Sequence, residues 1–234
     1  MDEITTTDAI DPRRQASSGV GAMPQASPVV FVVHDDVSLR EELETLIGND
    51  GWRVETYASA QEYLSRPRVL APSCLILDVA LPDLNGLDLQ KRVAVDRADT
   101  AIIFVTRYGD VRTTVQAMKA GAVEFLTKPF AEDALLSAIR QAIQRSRSAL
   151  RQEAELRGLR ACHASLSRRE REVMTLVVSG LLNKQVGHLL GISEITVKAH
   201  RGRVMQKMKA KSFADLVNMN LRLDPASNGR WQKI

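Results

Sequence analysis

The chain has 234 residues, 44% of them hydrophobic and 26% charged, which suits a globular protein of one large or two small domains. No apolar run reaches the roughly 18 residues of a membrane span, the N-terminus lacks the hydrophobic segment of a secretory signal, and two cysteines, Cys74 and Cys162, are too few for a disulfide framework or a zinc cage. The net charge of +4 is uneven: residues 1–163 carry 19 Lys and Arg against 23 Asp and Glu, whereas residues 164–234 carry 13 against 5.

The first part of the chain alternates between two kinds of apolar pattern. Residues 1–28 are rich in Thr, Ser, Ala, Gly and Pro, which predicts a disordered leader. Between residues 29 and 145, helical stripes of apolar residues separate short β-branched runs, and these runs predict strands at 29–33, 52–57, 74–79, 101–105 and 123–127. Five strands alternating with five helices predict an α/β domain with a doubly wound, five-stranded parallel sheet of the flavodoxin type.

The rest of the chain has only helical patterns. The fifth helix continues from residue 131 to about 161 without proline, which predicts a long, solvent-exposed linker helix over 146–163. Residues 164–224 predict an all-α domain of four helices, followed by a tail at 225–234. In this domain a short helix, a turn at Gly191 and a second helix rich in Lys and Arg are typical of a helix-turn-helix.

Polar side chains follow the strands of the predicted sheet at their carboxyl ends, where parallel sheets bind ligands. Clustered carboxylates there tolerate one another when a hard divalent cation lies among them. A carboxylate such as Asp78 can attack a phosphoryl group, whose oxygens a cation, an ammonium and a hydroxyl would stabilise. The residues at these ends are His34, Asp35, Asp36, Asp78, Thr106 and Lys128-Pro129.

At these residues, positions 28–145 resemble the receiver domain of two-component response regulators. The resemblance implies that Asp78 is phosphorylated by a sensor histidine kinase. It also implies that Asp35, Asp78 and the backbone carbonyl of Ala80 bind Mg²⁺, and that Lys128 contacts the phosphoryl group.

The same resemblance implies a switch. Thr106 and Phe125 would form the switch pair, in which the hydroxyl moves toward the phosphate and the ring turns inward. A cis peptide at Lys128-Pro129 is also implied, a geometry found mainly before proline.

Two positions depart from the receiver pattern. His34 stands where the family usually has an acidic residue, and Arg107 where it usually has Ala or Gly. An imidazole in place of a carboxylate removes a negative charge that attracts the cation, and Asp36 would compensate only in part. We therefore expect weaker Mg²⁺ binding or slower phosphorylation than in typical receivers. In the plainer alternative, His34 is solvated at the pocket rim and has no effect.

The second helix of the helix-turn-helix has one face suited to DNA. Lys198, Ala199, Gly202 and Arg203 share that face, while Val197, Val204 and Met208 lie on another that would pack inside the domain. Long cations can reach guanine or phosphate, and a methyl group can contact thymine. Lys184, near the start of the shorter helix, would meet a phosphate.

Residues 164–224 resemble DNA-binding domains of the LuxR type, and joined to a receiver they indicate the NarL/FixJ class, with a tail closer to its FixJ branch. The resemblance implies that Lys198, Ala199 and Gly202 face the bases, and that Thr196 and His200 lie near phosphate or the core. For His200 a packing role is favoured over a base contact. Arg201 points between the faces, and its contact with DNA stays open.

We predict a transcriptional regulator and not an enzyme. Its expected partners are double-stranded promoter DNA, a sensor histidine kinase, a second copy of the chain when active, and RNA polymerase, with no membrane and a cytoplasmic location. One alternative keeps DNA binding but makes the receiver a dimerisation module that is independent of phosphorylation. A phosphohydrolase of the haloacid dehalogenase type is disfavoured, because it needs an aspartate where the chain has Ala80.

Overall fold

The computed structural model describes residues 26–107 and 109–224, so the tail and nearly all of the expected leader lie outside the described residues. The strands are β1 (Val29–Val33), β2 (Arg53–Tyr57), β3 (Ser73–Leu77), β4 (Thr100–Thr106) and β5 (Glu124–Thr127). They form one parallel sheet in the order β2-β1-β3-β4-β5, and this confirms the doubly wound fold. The helices of this domain are α1 (Val37–Asn49), α2 (Ala60–Ser65), α3 (Gly86–Asp96), α4 (Val111–Lys119) and α5 (Glu132–Ala164).

Helices cover both faces of the sheet because side chains alternate along each strand. Val30 and Val32 of β1 point to the face covered by α1 and α5. Phe31 and Val33 point to the opposite face, which α2, α3 and α4 cover. The strands are buried on both sides, so their sequences read as continuous apolar runs and not as alternating ones.

Gly86 allows the start of α3 to approach the end of β3. A Cβ atom at this position would overlap the backbone carbonyl oxygen of Asp78. Glycine at this position therefore lets the start of α3 pack directly against the backbone of Asp78, at the edge of the sheet where the polar residues lie.

The helix α5 is continuous over 33 residues and belongs to both domains. Its first half packs on the sheet through Leu135, Ile139 and Ile143. Its last turns carry Leu159 and Cys162 into the core of the C-terminal domain. The prediction of a solvent-exposed linker over 146–163 is therefore wrong at both ends: Ser146 is buried where its hydroxyl accepts from the Ser73 N–H, and Leu159 is buried in the C-terminal core.

Four further helices of the described residues form the C-terminal domain: α6 (Arg168–Val178), α7 (Asn183–Leu190), α8 (Glu194–Met208) and α9 (Phe213–Leu223). Gly191 ends α7 in the left-handed conformation with φ 66°, which makes the tight turn before α8. Val197, Val204 and Met208 of α8 are buried, as the sequence predicts. Across the described residues, no helix is both long enough and apolar enough to span a bilayer.

A buried carboxylate joins α6 to α8. The Glu170 side chain accepts from the backbone N–H of Ser167 at 2.8 Å, completing a capping box, and from Lys207 Nζ at 2.6 Å. The hydrogen bond from Lys207 and that from the Ser167 backbone lower the pKa of Glu170 from 4.5 to about 2. A carboxylate with a lowered pKa contributes stability that is present above pH 4.5 and is lost as the pH falls toward 2.

We expect Glu170→Gln to destabilise the C-terminal domain by about 1.5–3 kcal/mol at pH 7, since a hydrogen bond to a charged group is lost. The difference from wild type should shrink as the pH falls from 4.5 to 2, where the native carboxylate also becomes protonated. Urea titrations read by hydrogen exchange of the α6 and α8 amides measure it. Glu172→Gln, which removes a more exposed partner of Arg168 and Arg169, is the control and should change stability by less than about 1 kcal/mol. A Glu170→Gln effect no larger than this would contradict the prediction.

Candidate functional site

The carboxyl ends of the strands bring the predicted pocket residues together around Asp78. This side chain follows β3 directly and is only 7% exposed. Its Oδ1 accepts from the backbone N–H of Ala80 at 3.2 Å, and the hydroxyl of Thr106 donates to the same carboxylate. The Nε2 atom of His34 lies 3.0 Å from its Oδ2.

His34 is a buried member of the pocket and not a residue of its rim. It is 4% exposed, so the alternative in which it is solvated at the rim is wrong. Its Nδ1 accepts from the backbone N–H of Asp36 at 3.0 Å and lies 3.1 Å from Oδ1 of Asp35. The imidazole therefore stands between the two carboxylates of Asp35 and Asp78. It is buried because its backbone N–H still pairs with β2, at the carbonyl of Tyr57, which turns the side chain into the sheet end.

Asp36 and Arg107 form an ion pair beside the pocket. Arg107 donates to Oδ2 of Asp36 at 2.8 Å, and Oδ1 of Asp36 caps α1 by accepting from Leu39 N–H at 3.3 Å. The backbone hydrogen bond from Leu39, together with the nearby Arg107, lowers the pKa of Asp36. Both oxygens thus have partners within the chain, and Asp36 does not replace the negative charge that is missing at position 34.

The electrostatics of the pocket keep the Asp78 carboxylate ionised. Burial raises the pKa of Asp78. The imidazole of His34, the hydroxyl of Thr106 and the Ala80 N–H together lower this pKa by more than burial raises it, so the net shift is downward. Burial lowers the pKa of Lys128, and attraction to Asp78 counters this in part. Within the described part of the chain, no ion pair of 4.0 Å or less joins Lys128 to Asp78, so its ammonium acts on the carboxylate over a longer distance.

The two residues of the expected switch pair point toward the interior. Thr106 is fully buried and bonds to Asp78. The ring of Phe125 packs against that of Phe104 with 5.7 Å between centroids. The peptide between Lys128 and Pro129 is cis.

The oxygen donors of this pocket fit a divalent cation. Ligand atoms of His34, Asp35 and Asp78 all lie within 4.8 Å of one another, and Asp35 is half-exposed, so an ion can reach them. Carboxylate oxygens and a backbone carbonyl, which Ala80 would supply, are donors that Mg²⁺ accepts. The imidazole nitrogen is the one donor that a hard cation does not favour.

A second site lies on α8. Thr196, Lys198, Ala199, Gly202 and Arg203 are exposed on this helix, and so is Lys184 on α7. A Cβ at Gly202 would meet no atom of the described residues within 4 Å, so the fold itself does not require glycine there. Since glycine costs about 1 kcal/mol inside a helix, close approach by another molecule is a reason for it.

Three residues of α8 differ in how free their side chains are to contact DNA. Lys198 forms an exposed ion pair with Glu194 at 3.2 Å, a contact that DNA can displace at little cost. Arg201 turns inward, donates to Oδ1 of Asn183 at 2.6 Å and lies over the ring of Phe213. It therefore links α8 to α7 and α9. His200 is half-buried, which favours its packing role.

The sequence interpretation missed Ile195. This side chain is 79% exposed in the first turn of α8, next to the Lys198 and Ala199 face. The sequence did contain a signal for this exposed position. Ile195 is apolar but does not share the helix face of Val197, Val204 and Met208, which is buried. Its position suits contact with a thymine methyl group or with the sugar edge of a groove.

Comparisons with known proteins match the two domains that carry these candidate sites. Residues 30–140 match the family model of the response regulator receiver domain, and residues 164–220 match that of bacterial regulatory proteins of the luxR family. Nodulation protein W of Bradyrhizobium diazoefficiens is 45% identical over 90% of this chain and 93% of its own. Transcriptional regulatory protein FixJ of Azorhizobium caulinodans is 41% identical over 85% of this chain and 94% of its own. The structure of response regulator StyR superposes with a TM-score of 0.72, at 42% identity over 83% of this chain and 98% of that one.

Proposed function

The chain belongs to the NarL/FixJ class of response regulators, which are transcriptional regulators and not enzymes, and from this premise we propose that phosphorylation of Asp78 controls its binding to promoter DNA. The observation that carries the proposal is the pocket around Asp78, in which a buried carboxylate accepts from Thr106, lies close to Asp35 and is attracted by the ammonium of Lys128. We propose that residues 29–145 form the receiver, 146–163 the linker and 164–224 the DNA-binding domain.

In this proposal the phosphoryl group comes from a phosphohistidine of a sensor kinase. An oxygen of Asp78 forms the new bond to phosphorus while the bond from phosphorus to the kinase imidazole breaks, and the leaving imidazole takes up a proton. Thr106, already bonded to this carboxylate, donates to a phosphoryl oxygen, and the ammonium of Lys128 offsets its negative charge.

Asp35, Asp78 and the carbonyl of Ala80 are proposed to hold Mg²⁺. When bound, the ion neutralises negative charge on the phosphoryl oxygens. His34 places a neutral or cationic ring where receivers usually have a carboxylate, and Arg107 neutralises Asp36. Both features support weaker Mg²⁺ binding than in typical receivers.

We propose that phosphorylation acts through dimerisation. Val111, Val115 and Met118 of α4 are 82%, 45% and 41% exposed and give this helix an apolar face, which we call the α4 face. Leu135 of α5 is buried and does not contribute to this face. The residues of α8 that we propose to face DNA are exposed in this conformation. A two-fold dimer through the α4 face would present two copies of α8 to two half-sites.

On the DNA, we propose that Lys198, Ala199, Gly202 and Arg203 face the bases, while Lys184 and Thr196 lie near phosphates. We expect RNA polymerase as a further partner. We propose a cytoplasmic location, because promoter DNA would be bound there.

The test compares the full chain before and after treatment with acetyl phosphate or beryllium fluoride. We expect the treated protein to sediment as a dimer and to bind a pooled genomic fragment library more tightly. A treated protein that stays monomeric, with unchanged binding to the library, would refute the proposal.

A second candidate function follows if His34 and the Arg107–Asp36 pair prevent the pocket from holding a cation. In it the receiver serves dimerisation alone, without phosphorylation. A protein that is dimeric and binds DNA equally with and without beryllium fluoride would favour this candidate.

A further inference from the structure

An open groove lies between the receiver and the second half of α5, and we call it the linker groove. Its volume is about 620 Å³. On the receiver side it is lined by Ala26, Leu70 and Pro72, and Leu70 is 61% exposed. On the α5 side the apolar lining consists of Leu150, Ala154, Gly158 and Ala161. Three of these α5 residues are small, which leaves room for another segment to lie against the helix.

The linker groove also contains three arginines with few acidic partners. Among the residues that the structure describes, Arg147 and Arg151 form no ion pair, and Nε of Arg147 is buried without a hydrogen-bond partner. Arg157 lies 3.8 Å from Glu153, which also pairs with Arg68. Because arginines attract carboxylates, the groove fits a segment that combines apolar side chains with acidic ones.

The chain supplies such a segment beside the linker groove. Ala26, the first described residue, already lines the groove, and residues 1–25 precede it. Residues 1–11 contain four carboxylates and neither Lys nor Arg, while Val20 and Met23 lie in an uncharged stretch next to Ala26. Too few apolar residues are present for this segment to form a core of its own, so any order it gains has to come from a surface that it contacts.

The chain enters the sheet at the same edge at which α5 leaves it. The N–H of Val29 donates to the carbonyl of Pro72, and the N–H of Ser73 donates to the hydroxyl of Ser146. Traced backward from Ala26, the chain therefore begins beside the stretch of α5 that lines the groove.

The six residues before Ala26 match the linker groove in length and repeat. Pro24 favours an extended, polyproline II backbone for the residue before it. This conformation has three residues per turn, so Val20 and Met23 share the side of Ala26 that lines the groove. Six residues span about 19 Å at about 3.1 Å each. Residues 150–161 of α5 span about 17 Å at about 1.5 Å each.

We propose that residues 20–25 dock in the linker groove of their own chain, with Val20 and Met23 against α5 and the carboxylates of residues 1–11 facing the arginines. The docked segment contacts both walls and holds the exposed half of α5 against the receiver. The stiffness of the linker, and with it the spacing of two DNA-binding domains in a dimer, then depends on a segment outside both domains. Docking does not require phosphorylation of Asp78.

Hydrogen exchange of the full, unphosphorylated chain tests the effect on α5. Amides of residues 150–161 should exchange at least about tenfold faster in the double variant Val20→Ser/Met23→Ser than in the wild type, because the apolar contacts that stabilise this part of the helix are lost. Ile4→Ser/Ile10→Ser removes two apolar side chains farther from Ala26 and is the matched control, with no change expected. Equal exchange in the wild type and in Val20→Ser/Met23→Ser would overturn the proposal.

Photo-methionine incorporated in place of the methionines reports the contact itself. On illumination, position 23 should cross-link to residues 150–161 of the same chain, whereas position 118 on α4 should not. Ala154→Glu should suppress this cross-link, since it places a carboxylate in the groove and keeps good helix propensity. Gln152→Glu adds the same charge to an exposed position outside the groove lining and should leave the cross-link intact.

Two other cross-linking results would contradict docking in the chain's own groove. Because the segment is tethered at Ala26, the cross-link should persist on tenfold dilution. A product that joins two chains and disappears on dilution would assign the groove to a second copy. Cross-links from position 23 to α8 would place the segment on the DNA-binding face instead, and either result would overturn the proposal.

Discussion

Asp78→Asn is expected to abolish labelling by acetyl phosphate and to hold DNA binding at its basal level. The amide keeps the size of the carboxylate and one oxygen that can accept from the Ala80 N–H, so the fold should persist. It lacks the anionic oxygen that attacks phosphorus. Because coupling two half-site contacts in one dimer raises avidity by about 10²–10⁴, the phosphorylated wild type should bind its selected fragments at least about 100-fold more tightly than the variant.

Phosphate-affinity electrophoresis measures the labelling, and mobility shifts with fragments selected from the genome measure the binding. Asp88→Asn is the matched control, since Asp88 is an exposed carboxylate on α3 that pairs only with Lys91 in the described structure. It should respond to acetyl phosphate as the wild type does. The regulatory role of Asp78 would be refuted if Asp78→Asn bound the selected fragments as tightly as the phosphorylated wild type.

Lys198→Ala is expected to remove selective DNA binding. A good base contact contributes about 1–3 kcal/mol of discrimination, so two half-sites in a dimer lose about 2–6 kcal/mol, which is about 30-fold or more. Lys184→Ala should act differently, because the lost phosphate contacts weaken binding to all sequences and reduce the salt slope by about two, one for each half-site of the dimer. Fluorescence anisotropy with selected and scrambled duplexes at several salt concentrations separates the two effects.

Lys91→Ala is a closely matched control for Lys198→Ala. The two lysine side chains are 61% and 63% exposed, and each pairs with a carboxylate one turn earlier on its own helix. Loss of the ion pair and of the charge is therefore the same in both variants, and only the position differs. Equal effects of the two substitutions on the preference for selected over scrambled duplexes would contradict base reading by Lys198.

Local sequence patterns predicted most of the fold. Buried strands appear as β-branched runs, and serines stand directly before three helices of the C-terminal domain, where Ser167, Ser193 and Ser212 are the N-caps. These features depend on neighbours along the chain. The continuity of α5 could be predicted for the same reason, since its interior has no proline and only Gly158.

The parts of the sites that could not be predicted depend on residues far apart in sequence. The pair between Asp36 and Arg107 joins positions 71 residues apart. The burial of His34 depends on backbone pairing with Tyr57, which belongs to another strand. Arg201 turns inward because Asn183 and Phe213 on two other helices offer it an acceptor and a ring. In each case the residue type was known, but its side-chain direction was set by tertiary packing.

Because α5 is one continuous helix, we expect its length to affect the spacing of the two DNA half-sites. At about 1.5 Å and 100° per residue, its 33 residues span about 50 Å, and a single inserted residue would turn one domain by more than a quarter circle relative to the other. Seven inserted residues, close to two full turns, would nearly restore the angle and only lengthen the arm by about 10 Å. The spacing and phasing of the two DNA half-sites are therefore expected to change together with the length of this helix among related regulators.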